Sequence, residues 1–231
     1  MNQFRRVIGK IAHSYYSLRS KNKPVRGYVL MLHGISEEKG EFQVPIEDFE
    51  KLLAFLKTKK MIRLEDWEKE SDFYTLTFDD VLLSFYENAF PLLKQYQIPF
   101  TIFVNTSMLG TPRFINKKQL LELAACDLCT IASHGVSHDE FQKMNAEEAL
   151  VDLQQSKQAL EQLVHRSIDM YAFPFGSYYA CGYRNKHLVA EVYKYGFSTV
   201  KCPITSPSPL PMYFIPRINV DTEYIANILK S

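Results

Sequence analysis

The sequence predicts an α/β fold: a parallel sheet of six or seven β-then-α units closed into a barrel. Three observations carry this expectation. Short segments rich in Val, Ile, Phe, Tyr and Thr alternate with amphipathic segments six or seven times after residue 27. Neither an internal repeat nor a low-complexity linker divides the chain. Its 231 residues, 46% hydrophobic and 23% charged, suffice for one sizeable core. That number of β-then-α units in one domain points to a barrel. The expected organisation is a basic arm over residues 1–26 and a single domain over residues 27–231.

Strands are expected at 28–33, 74–78, 99–104, 129–133, 169–173, 197–201 and 213–218, each bounded by turn residues. Between the first two, Pro45 stands where a helix would begin, with Ile46, Phe49, Leu53 and Leu56 on one face. A helix over 84–96 carries Pro91, which should break or kink it. Asn145 and Glu148 have the spacing of a capping box and open a long helix, with Leu150, Leu153, Leu160 and Leu163 expected inward. The segment from Pro203 to Pro211 holds four prolines and reads as an extended, ordered loop.

Charge is unevenly distributed. The net charge is +1, yet residues 1–26 hold seven bases and no acid, which leaves 20 bases against 26 acids in the remainder. A mildly acidic body argues against a nucleic-acid reader, which would carry a basic stripe on the domain. The arm around Phe4 to Ile11 has two readings: a helix packed on the body, and a peripheral contact with an anionic membrane surface. No apolar run is long enough to cross a membrane, and no apolar stretch of signal-peptide type follows the basic N-terminus. The expected location is therefore cytoplasmic, with the arm near the inner membrane surface. Four cysteines, with Cys126-x-x-Cys129 lacking a second pair at zinc-ribbon spacing, read as free thiols in a reducing compartment.

Functional residues of parallel β/α folds collect at the C-terminal ends of the strands. Four such ends carry polar or turn residues: His33-Gly34, Asp79-Asp80, His134, and Pro174-Phe175-Gly176. Adjacent carboxylates repel, so Asp79 and Asp80 need a cation or a proton between them. His134 and His138, four apart, can present their nitrogens to one metal. With six histidines in the chain, such a spacing arises by chance in about one case in eight, so the pair alone is weak. The combination, in order and at strand ends, is far more specific. It amounts to a His-His-Asp site with a spare carboxylate, the equipment for hydrolysis by metal-activated water.

These residues resemble the NodB-homology polysaccharide deacetylases, carbohydrate esterase family 4, over about residues 27–220. The likeness rests on Thr77-Phe78-Asp79-Asp80 and its continuation to Val104, on Ser133-His134-Gly135-Val136-Ser137-His138, and on Phe173-Pro174-Phe175-Gly176. The opening Val29-Leu30-Met31-Leu32-His33-Gly34-Ile35 is similar to the subgroup whose last histidine motif has moved to the N-terminus by circular permutation. The resemblance implies a distorted barrel of the NodB and glycoside hydrolase–deacetylase kind. It implies metal-dependent removal of N-acetyl, less often O-acetyl, groups from a saccharide. Asp80, His134 and His138 would bind a divalent metal, zinc first, with cobalt, nickel or manganese as substitutes. Asp79 would take a proton from the attacking water, the Phe175 N–H beside Pro174 would donate to the oxyanion, and His33 would protonate the leaving amine. The partner implied is an N-acetylated saccharide, as polymer or as a lipid- or nucleotide-linked precursor. Nothing in the chain bears on oligomeric state.

Three departures from the family pattern stand out. Val81 replaces the glycine that follows the two aspartates, and valine resists positive φ, so the loop beyond Asp80 is expected to run differently. The third motif lacks the Arg that contacts the catalytic Asp, and Arg217 in Ile215-Pro216-Arg217-Ile218 is expected to supply it from the last strand. The Asp/Trp motif has no match, and the single tryptophan, Trp67, reads as packing. These departures leave two alternatives: a metal-binding saccharide-binding or scaffold domain with little turnover, and an O-acetyl esterase or non-sugar amidase on the same fold.

Overall fold

The computed structural model describes residues 14–230 apart from 17, 20, 38, 39, 41, 183 and 209. The arm segment from Phe4 to Ile11 therefore lies outside the described residues. The chain runs through β1 (Val25–Leu32), β2 (Gly34–Ser36), β3 (Gln43–Pro45), α1 (Ile46–Leu56), β4 (Lys60–Met61) and β5 (Phe73–Asp79). It continues with α2 (Phe90–Tyr96), β6 (Phe100–Val104), α3 (Lys117–Ala124), β7 (Cys129–Ser133), α4 (Ala146–Val164) and β8 (Met170–Ala172). The last elements are α5 (Val189–Val192), β9 (Tyr195–Phe197), β10 (Ile204–Thr205), β11 (Ile218–Asn219) and α6 (Thr222–Ile228).

The main sheet has the order β10-β1-β5-β6-β7-β8-β9, with β4 on β5 and β11 on β1. Its pairings are parallel except β1 with β10. The segment from Met212 to Asn219 curls the sheet shut. At one end Ile215 bridges Phe197 of β9, and at the other Ile218 and Asn219 pair with Leu30 and Met31 of β1. One apolar cluster fills the inside, from Val29, Phe73, Phe103, Ala132 and Met170 to Phe197 and Ile215. Trp67 belongs to this filling, with its ring edge-on to Tyr195 at 5.8 Å, in agreement with its reading as packing. A second, larger cluster joins the outer face of the sheet to the helices.

Several expectations need correction. The strand expected over 197–201 lies at Tyr195–Phe197, because these are the residues that the short β8, Met170–Ala172, can pair with. The strand expected over 213–218 forms a ladder only at Ile218–Asn219, since the segment divides its pairing between two neighbours. The proline-rich loop contains β10, which pairs antiparallel with the start of β1. Before α2 the chain makes a π-turn over Phe85–Ala89, and Pro91 then falls in the first turn of α2, where its missing N–H costs nothing. The capping box of α4 is present, with Asn145 Oδ1 accepting from the Glu148 N–H at 3.0 Å and Glu148 Oε2 accepting from the Asn145 N–H at 2.8 Å. The buried face of α4 is Ala149, Asp152, Leu153, Ser156, Leu160 and Val164, while Leu150 and Leu163 are half-buried at its edges.

Candidate active site

Alternation along the strands decides which side chains enter the barrel. In β5, Phe73 joins the inner cluster while Leu76 and Phe78 face the helices. Counting in twos from Phe73 reaches Asp79. The same count leads from Val29 to His33, from Ala132 to His134, from Ala172 to Pro174 and from Ile215 to Arg217. Parallel strands bring these ends to one mouth.

Asp79 is buried and gripped from one side. Arg217 Nη1 donates to its Oδ1 and Arg217 Nη2 to its Oδ2, both at 2.7 Å. Arg217 has no exposed surface at all. Its Nε donates to the Ser198 carbonyl at 3.1 Å, Nη1 also reaches Thr77 Oγ1 at 3.3 Å, and the guanidinium lies 4.9 Å from the centre of the Phe103 ring. A buried ion pair persists only with this kind of two-pronged geometry and additional acceptors. Burial pushes the Asp79 carboxyl up. The Arg217 charge, with His134 and the two hydrogen bonds, outweighs burial and holds the group below the ordinary carboxylate range.

Asp80 has a different environment. Ligand atoms of Asp80, His134 and His138 all lie within 4.8 Å of one another. Asp80 Oδ1 is 3.4 Å from His134 Nε2 and 3.0 Å from His138 Nε2, yet this buried oxygen has no hydrogen bond of acceptable geometry among the described residues. Behind the site, His134 Nδ1–H donates to the Ala172 carbonyl at 2.8 Å, which assigns the tautomer and turns the Nε2 lone pair toward Asp80. Burial lowers His134 despite Asp79 and Asp80, keeping it in the neutral, ligating form. For Asp80, burial acts upward, but the close approach of the His138 imidazole and the charges of both histidines take the carboxyl well down. His138 is lowered by burial and raised, on balance, by Asp80. An orphaned carboxylate oxygen facing two imidazole nitrogens, one locked in the ligating tautomer, fits a divalent cation.

Four residues around this centre have left-handed backbones: Asp80 at φ +64°, Val81 at +55°, His138 at +56° and Phe175 at +60°. Such strain gathers at functional sites and persists where the surroundings over-determine it. Val81 thus overturns the expectation that valine would divert the loop. Its side chain is fully buried, its N–H donates to the Asp79 carbonyl at 2.7 Å, and its carbonyl accepts from the Ile115 N–H at 3.3 Å. Packing and these bonds outweigh a strain of about 1–3 kcal/mol. The usual order of core truncations should therefore invert here. Val81→Gly loses packing but relieves strain, whereas Val81→Ala loses packing and keeps strain. Urea unfolding should show Val81→Gly at least as stable as Val81→Ala.

His33 is half-buried at the end of β1, close enough for its charge to lower both Asp79 and Asp80. Its ring lies 5.2 Å from that of Phe42, which is 61% exposed and also left-handed, at φ +62°. Across the mouth, Phe175 is 57% exposed with its ring 5.0 Å from His138. Pro174 before it is buried. Gly176 after it allows the turn, since a Cβ there would sit 2.4 Å from Thr199 Cγ2. His33, Asp79, Asp80, His134, His138, Pro174, Phe175 and Arg217 thus stand around one mouth.

Two residues escape a reading by sequence. Phe42 gave no signal, because an exposed loop phenylalanine has no periodicity. Asp152, whose carboxylate lies against the loop from His134 to His138, had a faint one, an acid on the apolar stripe of α4.

A curled barrel with this mouth puts the protein in the class of carbohydrate deacetylases. Residues 67–200, more than half of the chain, match the polysaccharide deacetylase family model, and the chain belongs to that family. Deacetylases of this family are metal-dependent. Among its relatives, the poly-β-1,6-N-acetyl-D-glucosamine N-deacetylase of Staphylococcus epidermidis is 27% identical over 244 aligned positions, covering 95% of this chain and 82% of that protein. A Bacillus subtilis relative is 25% identical over 166 positions, and the match spans 59% of that protein's length. The fold is shared with the Streptococcus pyogenes deacetylase PplD, solved in complex with acetate, at a TM-score of 0.77 and 21% identity, covering 88% of this chain and 98% of that one. IcaB from Ammonifex degensii shares it at a TM-score of 0.75 and 18% identity, over 90% and 97% of the two chains.

Proposed function

We propose that the protein hydrolyses N-acetyl groups from the hexosamine units of a saccharide, with a divalent cation, zinc in first place, held by Asp80, His134 and His138. One observation carries the reading: two adjacent aspartates in opposite environments, one facing two imidazoles and the other clamped by a buried arginine. When bound, the cation lowers the pKa of water and polarises the acetyl carbonyl. The remaining work falls to the side chains. Asp79 is the base. Arg217 occupies one flank of its carboxylate, keeps it ionised and aims its free lone pairs at the mouth. The Phe175 N–H, which donates no hydrogen bond among the described residues, donates to the developing oxyanion. His33 protonates the nitrogen as the C–N bond breaks, since an amide cannot expel an unprotonated amine.

The exposed rings of Phe42 and Phe175 flank the acid and a metal ligand, where they can stack on pyranose faces. Similarity to the poly-β-1,6-N-acetyl-D-glucosamine N-deacetylase of Staphylococcus epidermidis supports N-acetylglucosamine as the sugar, in a polymer or a linked precursor. Acetate release from N-acetylglucosamine oligomers, by metal-stripped protein with and without added Zn²⁺, Co²⁺, Ni²⁺ or Mn²⁺, tests the reading. Release that depends on added metal is expected, and no release from any N-acetylhexosamine substrate would overturn it. Phe42→Ala should raise KM about tenfold, equivalent to about 1.4 kcal/mol of binding, with kcat within about twofold. Steady-state kinetics on an oligomer would show it, and an unchanged KM would remove Phe42 from the binding surface.

A further inference from the structure

Behind the loop that carries two of the proposed ligands sits a carboxylate that no step of the reaction uses. Asp152 lies on the inward face of α4 and is buried. Its two oxygens receive the N–H groups of successive residues: Val136 at 3.2 Å to each oxygen, and Ser137 at 2.9 Å to Oδ2. Both peptides belong to the stretch between His134 and His138. Consecutive N–H groups aimed at one anion form a nest, and bonds to a charged acceptor are about twice as strong as neutral ones.

The first half of the loop has its own holds. The His134 N–H donates to the Val104 carbonyl at 2.8 Å, and the Gly135 carbonyl accepts from the Thr106 N–H at 3.0 Å. The second half is held by Asp152, and it ends at His138, whose φ of +56° is a conformation that relaxes unless its surroundings enforce it. The contact is close. Gly135, at φ +82°, has no room for a side chain, since a Cβ would lie 2.7 Å from Asp152 Oδ1 and 3.3 Å from Tyr171 Oη. That tyrosine hydroxyl is itself buried and has no partner among the described residues. A groove of about 530 Å³ opens along Val136, Ser137 and Asp152. Without the carboxylate, water in this groove can take the two N–H groups, so the fold would survive while the loop lost its aim.

We propose that Asp152 is a positioning residue for the metal centre. It holds the 134–138 loop so that His138 Nε2 stays beside Asp80 Oδ1, and so sets the affinity for the divalent cation. The inference rests on the reading of Asp80, His134 and His138 as ligands.

Cobalt separates this from a merely structural role, because its visible absorption reports both affinity and coordination geometry. Absorption titrations with Co²⁺ of the wild type, Asp152→Asn, Asp152→Ala and His138→Ala, beside thermal melts of the metal-free proteins, make the test. Asp152→Ala should bind Co²⁺ about 10–100-fold more weakly, the usual effect of losing an outer-shell partner, with an altered spectrum and a small change in apo melting temperature. Asp152→Asn, with one acceptor and an amide turned toward donors, should fall between. If Asp152→Ala does not fold, the near-isosteric Asp152→Asn decides. Wild-type affinity and spectrum in the folded Asp152 variants, with binding lost in His138→Ala, would overturn the role of Asp152 alone. Equal Co²⁺ binding by the wild type and His138→Ala would instead overturn the ligand assignment beneath it.

Discussion

Arg217→Met is expected to cost about 3–5 kcal/mol of stability at neutral pH, the size of effect found when one partner of a buried pair is removed. The guanidinium is wholly enclosed, and its loss leaves the Asp79 carboxylate buried without its counter-charge. The double variant Arg217→Met, Asp79→Leu should recover much of the loss, because it strands no charge. The pH dependence gives a second check. With Arg217 present, the folded-state pKa of Asp79 lies below its unfolded value, so the contribution of the pair is present above about pH 4 and fades as pH falls through the folded pKa. In the variant, burial, the largest influence on Asp79, is opposed only by the weaker pull of His134 and His33 and raises its pKa, which reverses the sign: the contribution of Asp79 is best at low pH and lost as pH rises. Urea unfolding of metal-free protein at about pH 4.5 and pH 7 should therefore show a penalty that grows with pH. A penalty under about 1 kcal/mol, or one independent of pH, would mean that the pair does not hold the site.

Asp79→Asn should lower kcat/KM by about 10²–10⁴-fold, the usual worth of a general base, with bound metal retained. Asparagine keeps the shape but accepts no proton at working pH. Its amide NH₂ also meets the donors of Arg217, so some stability will be lost together with activity. Metal content and melting temperature measured on the same preparation separate the two effects. Turnover within about tenfold of wild type would assign the proton transfer elsewhere, and loss of metal would mean that Asp79 serves the cation as well.

The elements that were readable from residue order are those whose partners lie on both sides in a regular sheet. Cys129–Ser133 and Phe100–Val104 are short runs dominated by β-branched, aromatic and small residues and flanked by turn residues, and the expected and observed strands agree within a residue. The closing segment defeated the same approach. The run from 213 to 218 has strand composition, but it pairs first with β9 and then with β1, so only its last residues form a ladder. Composition shows what can pair, and the curvature of the barrel sets for how long. The Asp-Asp and His-x-x-x-His pairs were legible because the members of each pair lie within a few residues of one strand end.

The clamp on Asp79 was foreseen only through the resemblance to a family, since Arg217 stands 138 residues away and looks like any strand arginine. Asp152 and Phe42 had no such guide. The left-handed Val81 ran against its own intrinsic preference, because local rules describe a residue in water and not one enclosed by its neighbours. Strand-end position and residue chemistry, both local, were enough to bring His33, Asp79 and His134 to one mouth. Charge pairing and backbone strain became definite when distant segments removed the water around these groups, since desolvation turns a weak attraction into a requirement.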